Sequence, residues 1–278
     1  MKGIYHISSE GHNVIFRSED DFIYFMNKLG IVTDALGMRL FAFCIMSTHM
    51  HAIAEADETK LFAGTLNNLY SRHLNANYGI GGHNMKFSFH ALTGMEEIGT
   101  ALEYVLRNPV HHNVASSVFE YPYSSIRIPY PEIFHSPKRY WNEDACAEKS
   151  ILRASQIAGR DRRTIFGRST PNDNWLVKDG KMILPESYVD VSLTKELYKT
   201  FRSYLYGMTQ NKVSSGPESS LAAYRVSDLK VCKIVDNTLT KAGCRLDKLT
   251  PSIEEELRCT LREYGANDAQ IDRCLWKM

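Results

Sequence analysis

An α+β domain followed by a mostly helical C-terminal region is the architecture this 278-residue sequence predicts, on three observations. Short strand-like and helix-like stretches alternate from Met1 to about Tyr130. Arg39 to Met46 is an uninterrupted apolar run of strand length, and helical periodicity dominates again from about Leu193. The divisions fall at 1–132 for the α+β domain, 133–192 for a basic linker or extension, and 193–278 for the helical region.

Gly3 to Ser8 reads as the opening strand. Asp20 to Leu29 then places Phe22, Phe25, Met26 and Leu29 on one helical face, with Ser18 as N-cap and Gly30 as the stop. Arg39 to Met46 has the pattern of a central strand covered on both faces, and it leads into His49-Met50-His51. Leu61, Phe62, Leu66, Leu69 and Leu74 space a second helix from about Glu58 to Asn77, before the loop Gly79-Ile80-Gly81-Gly82. A third helix runs from about Met95 to Asn108, where Pro109 is expected to end it.

The stretch from about Pro131 is polar and basic, with Arg160, Arg162, Arg163 and Arg168, and shows no clean periodicity. Val213 to Ser220 suits a loop within the helical region. Thr250-Pro251 opens a helix that Gly265 ends, and Asn267 opens a short one to Trp276. That pair is similar to a helix-turn-helix offering Gln270, Arg273 and Lys277 to DNA, and two packed helices with no such role give the same pattern.

A formal net charge of +1 argues against a general nucleic-acid coat, so any DNA binding must use local basic clusters. The six cysteines form no C-x-x-C pair, which disfavours a zinc ribbon and a disulfide framework and points to reduced thiols. No signal-peptide core or membrane-length apolar stretch is present, so a cytoplasmic protein with no membrane partner is expected.

His49 and His51 lie two apart on a strand, so both side chains share one face while Met50 turns into the core, a geometry for a two-imidazole metal clamp. Structural histidines share this spacing. Tyr104 and Asn108, four apart on the third helix, also stack on one face, although a tyrosine at helical spacing is commonly just packed. The combination is what points to chemistry.

Four ordered stretches carry a family resemblance: Tyr5-His6-Ile7-Ser8-Ser9, Cys44-Ile45-Met46-Ser47-Thr48-His49-Met50-His51, Tyr104-Val105-Leu106-Arg107-Asn108-Pro109-Val110 and Tyr121-Pro122-Tyr123-Ser124-Ser125. With Tyr70-Ser71-Arg72 before the glycine loop, the first half of the chain resembles the insertion-sequence-type tyrosine transposases of the histidine-hydrophobe-histidine endonuclease class, especially the REP-associated branch. Glu10, Thr48 and Phe87-Ser88-Phe89-His90 depart from the family's usual arginine, asparagine and basic residues.

The resemblance implies a ferredoxin-like antiparallel sheet with packed helices, and a metal-dependent transposase that nicks and joins single-stranded, hairpin-containing DNA through a 5′-phosphotyrosine on Tyr104. His49, His51 and Asn108 would hold the ion, Mg²⁺ or Mn²⁺, because two imidazoles and an amide oxygen leave positions open for phosphate and water. His6, Arg72, Arg107, Arg160, Arg162, Arg163, Gln270 and Arg273 are the candidate DNA contacts, with a structural role the alternative for His6, and His111 and His112 after the helix break are expected either to touch phosphate or to be simply exposed. A homodimer is left open. A catalytically idle DNA-binding regulator shares the fold, and a phosphoesterase using water at the two histidines would leave Tyr104 structural.

Overall fold

The computed structural model describes residues 2–82, 85–134, 151–210 and 226–276. The chain begins β1 (Gly3–Glu10), α1 (Glu19–Ala35), β2 (Arg39–Ile45), β3 (Met50–Ala56), α2 (Thr59–Tyr78), β4 (Lys86–Ala91) and α3 (Met95–His111). The four strands form one antiparallel sheet in the order β2-β3-β1-β4. The architecture is thus α+β, as the alternation of patterns predicts.

Local sequence explains where these helices start. The Ser18 side chain accepts from the Asp21 backbone N–H while the Asp21 carboxylate accepts from the Ser18 N–H, a reciprocal cap at the head of α1. Two helix ends differ from expectation. α1 runs through Gly30 to Ala35; a Cβ at Gly30 would meet the Tyr188 ring at 2.6 Å, so glycine serves close packing there. α3 likewise runs through Pro109 to His111. Proline deletes one donor in the last turn, and the Pro109 carbonyl still accepts from the N–H groups of Val114 and Ala115.

The apolar run of β2 is buried, yet β2 is an edge of the four-stranded sheet, not a central strand. Later segments cover it: Ile45 N–H donates to the Tyr123 carbonyl, Ser125 N–H to Phe43, and Asp190 N–H to Leu40. Tyr121 adds its hydroxyl, which donates to the Ile45 carbonyl at 2.6 Å. The Tyr121–Ser125 run therefore closes a sheet edge that would otherwise present unpaired backbone groups.

After α4 (Pro131–Phe134), the stretch expected to be a basic linker or extension is folded where it is described. β5 (Ile151–Arg153), β6 (Leu176–Lys178) and β7 (Met182–Ile183) form a second antiparallel sheet, with α5 (Gly159–Phe166) alongside. Ile157, Phe166, Trp175, Val177 and Ile183 make a small core with Ile31 of α1. Periodicity missed these elements because they are two to eight residues long. The Asn27 side chain pairs with the Ile183 N–H and the Lys181 carbonyl, and Lys28 donates to the Ile165 carbonyl.

The C-terminal region supplies α6 (Ser192–Leu197), α7 (Phe201–Thr209), α8 (Asp228–Lys241), α9 (Pro251–Glu263) and α10 (Asp268–Leu275). The predicted loop at Val213 to Ser220 lies outside the described residues. Thr250 and Asn267 cap α9 and α10 as their sequences predict. α8 to α10 dock on the segment after β1: the buried Arg17 guanidinium donates to the Cys274 carbonyl and Asp236, Val14 N–H to the Arg273 carbonyl, and the Trp276 indole to the Val14 carbonyl. No described helix is long and apolar enough to cross a membrane.

Candidate active site

The β2–β3 hairpin turns at Met46–His49, where Met46 N–H donates to the His49 carbonyl at 2.7 Å. His49 therefore closes the turn just before β3 and His51 lies at the start of β3, instead of both ending the apolar strand before it. Ser47 to His49 are only partly buried, whereas Met50 is fully buried on the opposite side of the strand. The Ser47 carbonyl accepts from the N–H groups of both Ile15 and Phe16, and a Cβ at Gly11 would overlap the Thr48 carbonyl oxygen. The 11–16 segment thus pins the turn from beneath.

His51 stands opposite Ser8 on β1, and His6 opposite Ile53, so His6 and His51 are diagonal neighbours on one face of the sheet. Their rings stack with centroids 5.3 Å apart, and His6 Nε2 lies 3.1 Å from His51 Nδ1. His49 has an equivalent partner, with Nδ1 2.8 Å from Thr48 Oγ1. When each Nδ1 carries the proton and donates it, the Nε2 lone pair of His49 and of His51 is left for a ligand. Thr48, a departure from the family pattern, has a definite place in this arrangement.

α3 packs across β2 and β3 and brings Tyr104 to the histidines. The phenol ring lies edge-on to His51 at 5.3 Å and to His6 at 5.7 Å between centroids. One turn further on, Asn108 is fully buried. Neither its oxygen nor its nitrogen makes a hydrogen bond of normal geometry, although the amide lies close enough to His49 to favour that ring's protonated form. A buried amide left unpaired costs on the order of 1–3 kcal/mol per group, so the position calls for a ligand.

The imidazoles are held neutral. Burial, then the neighbouring His112, lowers His49 to about 4; burial, then His90, lowers His6 to about 4; burial and the surrounding rings lower His51 well below its ordinary value. A neutral imidazole is the form that binds a cation. Among the described residues no three His, Cys, Asp or Glu side chains form a metal-holding group, so the two histidines have no third ligand of those types beside them. Two neutral imidazoles plus one orphaned amide oxygen fit a divalent ion that keeps several positions for water and phosphate.

Two neighbouring histidines were expected, after a helix break, to touch phosphate or to be exposed. Because α3 continues through Pro109, His111 falls on the same helical stripe as Tyr104 and Asn108, with ring centroids of His111 and Tyr104 6.0 Å apart. Both His111 ring nitrogens are buried without a hydrogen-bond partner. His112 packs edge-on to His49 at 5.3 Å. Reading proline as a terminator concealed the i, i+4, i+7 spacing that would have found His111.

The candidate DNA contacts divide. His6 is half-buried and belongs to the cluster, against His51 and Tyr104. Arg107 is only 7% exposed, and its charge acts on His111 and Tyr198, so it is not open to a backbone passing over the surface. Arg72 is exposed on α2 near Tyr24. On α5, Arg160 and Arg163 are exposed, while Arg162 lies over the Phe166 ring at 5.6 Å. Gln270 and Arg273 were expected to face DNA, but they turn inward: Gln270 is fully buried and donates to the Val226 carbonyl and Asp228, and Arg273 pairs with Asp228 at 2.7 Å. The exposed residues at the head of α10 are Asp268 and Ala269, with Asp272 partly so, and both aspartates are paired with arginines of α9, Asp268 with Arg262 and Asp272 with Arg258. Lys277 lies outside the described residues.

No family model matches the sequence, and no curated protein matches it. Among solved structures, a REP-associated tyrosine transposase bound to a REP hairpin is similar at 18% identity and a TM-score of 0.39, covering 53% of this chain and 91% of that one. The chemistry of the site therefore rests on its own geometry.

Proposed function

We propose that this chain is a metal-dependent endonuclease and strand transferase for single-stranded DNA, a transposase of the tyrosine type, with Tyr104 as nucleophile. The observation that carries this reading is the meeting of a tyrosine with the buried His51, with the partly buried His49 beside that ring, both held neutral, and an orphaned amide one helical turn away. The β-α-β-β-α-β order around an antiparallel sheet supports a ferredoxin-like domain beneath it.

His49, His51 and Asn108 would hold Mg²⁺ or Mn²⁺. When bound, such an ion polarises the scissile phosphate and offsets the charge that develops during displacement. The chain's own residues do the rest. His6 and Thr48 hold the two imidazoles by their Nδ1 atoms, keeping each ring in one orientation. The Tyr104 oxygen forms a bond to phosphorus as the bond to the 3′ oxygen breaks; the phenol gives up its proton and the departing 3′ oxygen gains one. The phosphodiester's energy is kept in the 5′-phosphotyrosine, so a free 3′-hydroxyl can reverse the step on another strand without ATP.

Incubation with labelled hairpin-containing single strands from the flanks of its own gene and Mn²⁺, followed by denaturing electrophoresis, tests the reading. A covalent band is expected for the wild type and none for Tyr104→Phe, with DNA affinity retained within about twofold. Cleavage persisting in Tyr104→Phe would mean hydrolysis by water. Tight binding without adduct or cleavage in the wild type would mean a regulator.

A further inference from the structure

The proposed site lies in a nearly neutral chain, and a DNA substrate must be held by local charge. α8 provides such a place. Its sequence carries three lysines and two aspartates, and the fold sorts them by face. Asp228 turns in, accepting from Ser47 Oγ at 2.6 Å and from Gln270 and Arg273. Asp236 turns in to the buried Arg17 at 2.7 Å. Val231, Cys232, Val235 and Leu239 form the buried stripe between them. Lys230, Lys233, Asn237, Thr240 and Lys241 are all exposed, and at 3.6 residues per turn they fall within an arc of about 100° opposite that stripe.

The outward face of α8 is therefore cationic with no acidic residue in it. α9 is the contrast, since Glu255, Glu256 and Glu263 are among its exposed residues. The lysine face is also tied to the site. Asp228, two residues before Lys230, is bonded to Ser47, two residues before His49. From there the lysines extend along about 17 Å of straight helix axis, the axial length of roughly five duplex steps. A rigid, straight row of cations matches the regular phosphates of a duplex better than a flexible single strand.

We propose that this face of α8 is a docking track for the phosphate backbone of duplex DNA flanking the strand that enters the active site. The inference rests on the DNA-processing reading above. It assigns DNA contact to α8 in place of α10, whose Gln270 and Arg273 are consumed in holding α8 to the core.

The test compares wild type with K230Q/K233Q/K241Q, and with K60Q/K195Q/K199Q as an equal charge change at exposed positions elsewhere. Affinity is measured against NaCl concentration for a short single strand, the same strand with a duplex arm, and the same strand with a single-stranded arm. The wild type is expected to gain about tenfold or more from the duplex arm. The α8 variant should lose that gain, with a salt slope shallower by roughly 2–3, while its melting temperature and its adduct yield on the short strand stay unchanged. The control variant should keep the gain. A gain kept by the α8 variant, lost equally by the control, or matched by the single-stranded arm would overturn the track while leaving the DNA-processing reading intact. A wild type that neither binds nor reacts with any of the three DNAs would refute that reading and this inference with it.

Discussion

Protonation of an imidazole at the site costs more in the folded chain than in the unfolded one. His6 and His49 are lowered from 6.5 to about 4, chiefly by burial. Above pH 6.5 neither state takes up these protons. As pH falls from 6.5 toward 4, the unfolded chain binds them and the folded chain does not, so stability is progressively lost. Urea unfolding of the metal-free protein should show a loss of up to about 2 kcal/mol per ring between pH 7 and pH 5. A flat stability profile over that range would contradict the burial of these rings. A metal bound by neutral imidazoles should likewise be retained down to pH 5.5, followed by calorimetric titration with Mn²⁺.

At the scale of elements, contacts between distant segments decide several features that local pattern cannot. Gly30→Ala would push a Cβ into the Tyr188 ring in mid-helix, and it should destabilise the fold by about 1–3 kcal/mol despite alanine's better helix propensity. Tyr188→Ala in the same chain should recover part of that loss, measured by a double-mutant urea series. Arg273→Ala should cost about 1–3 kcal/mol through Asp228 and change DNA affinity by less than about twofold; a large affinity loss with unchanged stability would restore α10 as a DNA-reading helix. The caps at Ser18, Thr250 and Asn267 were legible in the sequence because they act within four residues. Gly30 misled as a stop because its packing against Tyr188 is a tertiary fact, and Pro109 because a proline in the last turn removes a donor while its carbonyl stays in use by Val114 and Ala115. The spacing of His49, His51, Tyr104 and Asn108 was legible, being set by strand and helix periods, but their meeting depends on how α3 crosses β2 and β3.

At the scale of the whole molecule, the C-terminal helices brace the histidine turn and are not a free appendage. Ser47 is held by Asp228 from α8, and the 11–16 segment beneath the turn is fixed by Arg17, Arg273 and Trp276. Removal of residues 226–278 is expected to abolish the DNA adduct and to broaden thermal unfolding, measured by gel and calorimetry. A truncated chain that forms adduct at the wild-type rate would show that the brace is dispensable. Overall composition concealed this organisation, since a net charge of +1 averages an acidic α9 surface against a lysine face on α8. The central claim concerns one oxygen atom among fifteen tyrosines. Its most direct measurement is mass spectrometry of the nuclease-trimmed, trypsin-digested DNA adduct formed with Mn²⁺. The account predicts a nucleotide 5′-phosphate on the peptide containing Tyr104; the same mass on another tyrosine, or strand cleavage with no modified peptide, would contradict it.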